Sequence, residues 1–159
     1  YTSGVLVSYD GFVRCLDRSG EGYSLSVYDR SGEDVRAVAL MAYQGPMSIV
    51  ALRDYPVNAM DEMRFYRLRN GETRTPYVDI ADGVARNAVS ALTGYSADKG
   101  CGEILLEMMP VYIADTLRED ALEALASEGI DFLYCEDEVI HASESGAVFS
   151  HIYEGYSAG

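Results

Sequence analysis

An α+β fold is what this sequence predicts, and three observations carry the prediction. The first half is a succession of short β-branched and apolar runs separated by turn residues, as in chained hairpins. The second half holds a clear amphipathic helix that ends in a glycine and leads straight into a strand. Hydrophobic residues make up 48% of the chain and charged residues 24%, an ordinary globular balance. Strands gathered first and helix–strand units gathered second give an α+β domain rather than an alternating one. The 159 residues suit a single domain, 1–159, with a sizeable core.

The elements follow in order. Val5–Val7 and Phe12–Leu16 flank Tyr9-Asp10-Gly11, a turn signal, and read as a hairpin. Arg18–Gly22 is a loop, and Tyr23–Tyr28 alternates as a half-buried strand does. The Asp29–Gly32 turn leads to Val35–Tyr43, which Gly45-Pro46 ends, and Met47–Leu52 is the next apolar run. Phe65–Leu68 and Thr75–Val78 form a hairpin about Asn70-Gly71. Val84–Leu92 is apolar with small residues, either a strand or a short helix. Asp98–Met109 is predicted helical, with Ile104, Leu105, Met108 and Met109 on one face and Pro110 as its stop. Thr116–Glu128 is a helix whose inner stripe is Leu117, Ala121, Leu122 and Leu125. Gly129 stands at its C′ position; Ile130–Cys135 and Glu138–Ala142 are strands. Ser143–Gly159, rich in Ser, Gly and Tyr, reads as a loose tail.

Charge narrows the partners. With 26 acidic and 12 basic residues the formal charge is −14, a field that repels phosphate backbones and sets nucleic acid aside. The same field opposes an anionic dinucleotide unless a cation or local arginines offset it. No apolar run approaches the roughly 18 residues of a membrane span. The chain starts at Tyr1 with no targeting segment, which reads as a processed or excised piece. Cys15, Cys101 and Cys135 form no C-x-x-C pair and are odd in number, so they read as small buried thiols. His141 and His151 have no partner at a metal-ligand spacing.

The densest motif is Asp61–Gly83, DEMRFYRLRNGETRTPYVDIADG. Two short strand-like runs flank Asn70-Gly71, and the second runs into an Asp79-x-x-x-Gly83 corner. This stretch resembles the central motif of the FAD:protein FMN transferase (ApbE) family, roughly D-Y-E-R-F, a short turn, then H-H-I-x-D-P-x-T-G. Asp61, Arg64, Phe65, Gly71, Asp79 and Gly83 fall where that family places like residues, while Thr75 and Pro76 stand at its histidine pair. Val5–Val13, Tyr23–Asp29, Met60-Asp61, Ser90–Met109 and Thr116–Gly146 resemble further segments of the same family in the same order. The match is to a C-terminal half, a T-fold-related half domain that is a C-terminal portion of a longer protein.

The resemblance implies FAD and Mg²⁺ as cofactors and phosphoryl transfer of FMN to a Thr or Ser of a protein acceptor. It also implies an extracytoplasmic or membrane-anchored setting, and a missing N-terminal half of the same protein as partner. On this reading Asp79, Gly83 and Arg64 contribute to cofactor binding. Glu103 is the remaining metal ligand at a helix start where the family writes A-D-A-x-x-T and this chain writes Cys101-Gly-Glu-Ile-Leu-Leu-Glu107. The residues also admit plainer roles. Asp79 and Gly83 make a turn, Glu103 and Glu107 form a solvated helix face, Asp98 caps the helix, and Arg64, Arg67, Arg69 and Arg74 balance Asp61, Glu62 and Glu72. Loss of the histidine pair and of the metal-holding carboxylate implies an impaired or incomplete active site. The alternatives are a non-catalytic flavin- or partner-binding module, or an unrelated extracytoplasmic sensor or interaction domain.

Overall fold

A computed structural model describes residues 4–9, 11–71, 73–143 and 148–159, without the side chains of Met60, Asp61 and Thr73. Tyr1, Asp10, Glu72 and Gly146, which enter the sequence argument, lie outside the described residues, as does the Asp61 side chain. In chain order come β1 (Gly4–Tyr9), β2 (Phe12–Asp17), β3 (Tyr23–Ser31), β4 (Asp34–Tyr43) and β5 (Met47–Arg53). A one-turn helix α1 (Ala59–Glu62) and two short strands, β6 (Tyr66–Arg67) and β7 (Thr73–Arg74), precede β8 (Ala91–Ser96). Then follow α2 (Cys101–Tyr112), α3 (Glu119–Ser127), β9 (Asp131–Glu136), β10 (Val139–Ala142), β11 (Val148–Ser150) and β12 (Ser157–Ala158).

Among the described residues the strands make a large sheet ordered β1-β2-β5-β8-β9-β10-β12, a second sheet β11-β4-β3, and the β6-β7 hairpin. Every neighbour is antiparallel except β12, which runs parallel to β10. The fold class is the predicted α+β.

Strand alternation gives the large sheet two apolar faces. Val50, Leu52 and Leu92 face α2 and α3, packing on Ile104, Met108, Tyr112, Leu122 and Leu125. Ile49, Tyr95, Leu133, Cys135 and Ile140 face the second sheet, packing on Val27, Val38, Ala39 and Met41. A register shift at Val27/Tyr28 leaves Val38 unmatched, and this bulge lets Val38 and Ala39 both bury, though they are consecutive on a strand. Gly94 sits under α2 at its closest approach: a Cβ there would lie 2.2 Å from Met108 Sδ.

The structure moves several predicted boundaries. The helix predicted over Asp98–Met109 begins at Cys101, because Ser96 Oγ accepts the N–H groups of Asp98 and Lys99 in a turn ahead of it. Gly100, not Asp98, is the N-cap, and Glu103 reaches back to accept the Gly100 N–H at 2.8 Å. Pro110 does not stop this helix but lies inside its last turn. The carbonyl it leaves unserved belongs to Leu106, a residue 75% exposed, so water can serve it. The final helix starts at Glu119 rather than Thr116. Predicted strand Thr75–Val78 is not a strand, and β7 lies just before it at Thr73–Arg74: Pro76 has no N–H for a ladder, and Thr75 Oγ1 takes the Tyr77 N–H instead. Residues 84–90 are irregular, with Ala88 N–H donating to the Tyr112 carbonyl at 2.7 Å. Residues 148–159 are no loose tail. β11 extends the second sheet and β12 the large one, and Tyr156 Oη donates to Asp29 at 2.8 Å.

Candidate functional site

Between the two sheets lies a cavity of about 860 Å³, within the usual size of small-molecule sites. The strand period places its floor: Ile49, Ala51 and Arg53 project from β5, Thr93 from β8 and Leu133 and Cys135 from β9. Leu25, Val27 and Tyr28 of β3 form the opposite wall. Residues 57–64 cover one end through Asn58, Met63 and Arg64, and Ser8 and Tyr9 of β1 stand at the mouth.

Arg53 and Arg64 are the charged side chains among the described residues that line the cavity. Arg64 lies against the first hairpin. A Cβ built on Gly11 would come 3.6 Å from an Arg64 guanidinium nitrogen and 2.9 Å from the Ala51 carbonyl, and Gly11 has φ +83°. Glycine is therefore required where Arg64 crosses the turn. The Cys135 thiol in the floor is pushed up to about 12 by burial, so it is an inert apolar wall atom rather than a nucleophile. Cys15 is also buried and its thiol raised by that burial; all three cysteines are free, and of the three thiols expected to be buried Cys101 is only half-buried.

Of the predicted site residues, Arg64 lines the cavity; Asp79, Gly83 and Glu103 do not. Asp79 closes its own corner. Its Oδ1 accepts the Ala81 N–H at 2.9 Å, its carbonyl accepts the Gly83 N–H at 2.8 Å, and its Oδ2 pairs with Arg86 at 2.9 Å. Gly83 supplies the φ of +74° that the corner needs. Arg86 also holds Asp82 and reaches Asp115 at 3.4 Å; together with a backbone hydrogen bond from Val84, it holds the Asp82 carboxyl below its usual range. Glu103 caps α2, and Glu107 is exposed. Among the described residues no group of three His, Cys, Asp or Glu is placed to hold a metal ion. With Cys101 and Gly102 at the helix start and Glu103 turned to the cap, these side chains do not fit the Mg²⁺ that the resemblance implies. His141 stacks on Tyr134 at 4.8 Å, a packing role.

A second polar centre went unread in the sequence. Asp54, just past β5, accepts Arg30 at 3.0 Å and Asn87 at 3.2 Å through Oδ2, and its N–H donates to the Ser90 carbonyl. Burial lifts its carboxyl above the usual range against the pull of Arg30. Its Oδ1 and the Tyr112 hydroxyl are buried with no hydrogen-bond partner among the described residues. Tyr77 packs edge-on against Tyr112 at 5.5 Å, so this centre anchors both ends of the 77–90 segment that carries the Asp79 corner. The signal available was an Arg-Asp pair, Arg53-Asp54, closing an otherwise apolar strand.

No protein-family model matches this chain, and no curated protein matches it. Among solved structures, the crystal structure of the ApbE protein from Thermotoga maritima superposes on 92% of the chain with a TM-score of 0.60 at 14% identity. The chain spans 42% of the length of that structure. The ApbE-like fold foreseen from the Asp61–Gly83 motif is thus shown as a structural likeness.

Proposed function

We propose that this chain is a ligand-binding module of ApbE-like fold that takes a flavin in the cavity between its sheets. The observation that carries the reading is the cavity itself: an apolar floor, tyrosines at the mouth and wall, and two arginines in an otherwise acidic chain. A flat aromatic ring suits the floor and Tyr28, and guanidinium groups suit an attached phosphate. Transfer chemistry is not part of the proposal. The corner aspartate and the helix glutamate that the resemblance nominates are consumed by local backbone hydrogen bonds. The remainder of an ApbE-like protein, on this polypeptide or another, would supply what a transferase needs.

Titration of FAD, FMN and riboflavin against the chain, followed by quenching of flavin fluorescence, tests the reading. Saturable quenching by FAD or FMN that is indifferent to added Mg²⁺ is expected. Arg64→Ala should weaken it by about tenfold, the worth of one charge-assisted contact. No quenching by any of the three flavins sinks the proposal. Covalent flavin on a threonine-bearing acceptor protein, formed from FAD and Mg²⁺, would replace it with an active transferase.

A further inference from the structure

Two side-chain links run from the turn after β5 to β3, at the Arg53 end of the cavity. Arg30 donates to Asp54 Oδ2 at 3.0 Å, and the same guanidinium lies over the Tyr55 ring, 5.5 Å from its centroid. Tyr55, 2% exposed, donates from its hydroxyl to the Tyr28 carbonyl at 3.1 Å. No backbone ladder joins the two sheets among the described strands, so their separation at this end rests on side-chain contacts. Asp54 fastens the foot of the link to the large sheet, its N–H on the Ser90 carbonyl and its Oδ2 on Asn87. Tyr28 is the other foot, where the register of β3 shifts between Val27 and Tyr28. A bulge re-aims side chains, and here the two residues beside it are cavity wall.

Arg30, Asp54 and Tyr55 are not part of the lining, yet they bracket it. Arg53 of the floor directly precedes Asp54, and Tyr28 of the wall lies just ahead of Arg30 on β3. We infer that Arg30, Asp54 and Tyr55 are positioning residues of the cavity, a clamp that sets the height of the Tyr28 wall above the Arg53 floor and so selects for a flat ligand. The choice of ligand rests on the flavin reading; the clamp itself does not. A planar ring between wall and floor gains from contacts on both faces, and a fraction of an ångström of extra gap forfeits much of that attraction. Loss of the clamp therefore weakens binding through Tyr28, although no clamp atom touches the ligand.

Tyr55→Phe tests the inference, since it keeps the ring under Arg30 and removes the bond to Tyr28. It should raise the FMN dissociation constant by about threefold to tenfold, the worth of one hydrogen bond. It should also lower the polarisation of the bound flavin's residual emission at saturation, which a mere loss of folded protein would not move. Arg36→Met, whose partners are Asp34 and the Tyr153 ring, should change neither. Coupling is reciprocal, so in the unmodified chain FMN should slow amide exchange at Arg30 and Tyr55, outside the lining. A further measurement needs no flavin: Tyr55→Phe should speed exchange of the amides of residues 28–30 in the free chain while those of β8 keep their rates. Unaltered exchange at residues 28–30 overturns the clamp. Unaltered FMN affinity and polarisation, in a chain that binds FMN, overturns its hold on the ligand. If the unmodified chain takes no flavin, the flavin reading falls, and the free-chain exchange alone decides for or against the clamp.

Discussion

Asp54 shows how one carboxylate can hold a segment and still strain against its surroundings. It holds Arg30 and Asn87, yet burial raises its pKa above the ordinary 3.8. The sign follows from linkage. A carboxyl whose folded pKa exceeds its unfolded value binds protons more readily when folded, so its contribution is full below 3.8 and is lost as pH rises through the folded pKa. Asp54→Asn keeps an oxygen for Arg30 and removes the titration. Urea unfolding across acid to neutral pH should show wild type losing stability relative to the variant as pH increases from 3.8. A pH-independent difference would show that the carboxyl titrates alike in both states. Asp79 plays a local part. Its oxygens meet backbone N–H and Arg86, so it serves the corner, as the plainer reading of the sequence had it.

At the scale of elements, α2 carries a removable defect. Pro110 forfeits one hydrogen bond in the last turn of a helix that is otherwise anchored by Ile104, Met108 and Tyr112. Pro110→Ala should raise the unfolding free energy by about 1–3 kcal/mol, read by urea melts, the gap between the two residues' helix propensities. Unchanged stability would mean that the proline's stiffening of the unfolded chain offsets the missing bond. The strands were legible because half-buried strands alternate and because Gly11, Gly32 and Gly71 punctuate them. The start of α2 was not, since it depends on which side chain takes each successive N–H group: Ser96 those of Asp98 and Lys99, Glu103 that of Gly100. β11 and β12 were illegible for another reason: such short strands take their partners from far along the chain, which no local pattern records. The cavity shares that blindness. Its lining comes from β1, β2, β3, β4, β5, β8 and β9, so Arg64 was visible as a motif residue and Arg53 was not.

For the whole molecule, the charge of −14 works against compactness as well as against self-association. Moderate NaCl should therefore raise the melting temperature, and relief of about 1 kcal/mol moves it by roughly 2–4 °C at this chain length. The measurement is a thermal melt of the chain over a NaCl series at high dilution; a flat response would place the carboxylates too far apart to repel. The order of assembly is written into the last dozen residues. Tyr156 reaches Asp29 across 127 positions of sequence, β11 completes the sheet begun by β3 and β4, and β12 borders the one begun by β1 and β2. Closing so long a loop precedes any reward from the contacts it makes. Both sheets therefore stay incomplete until residues 148–159 have been synthesised and have paired with strands made much earlier.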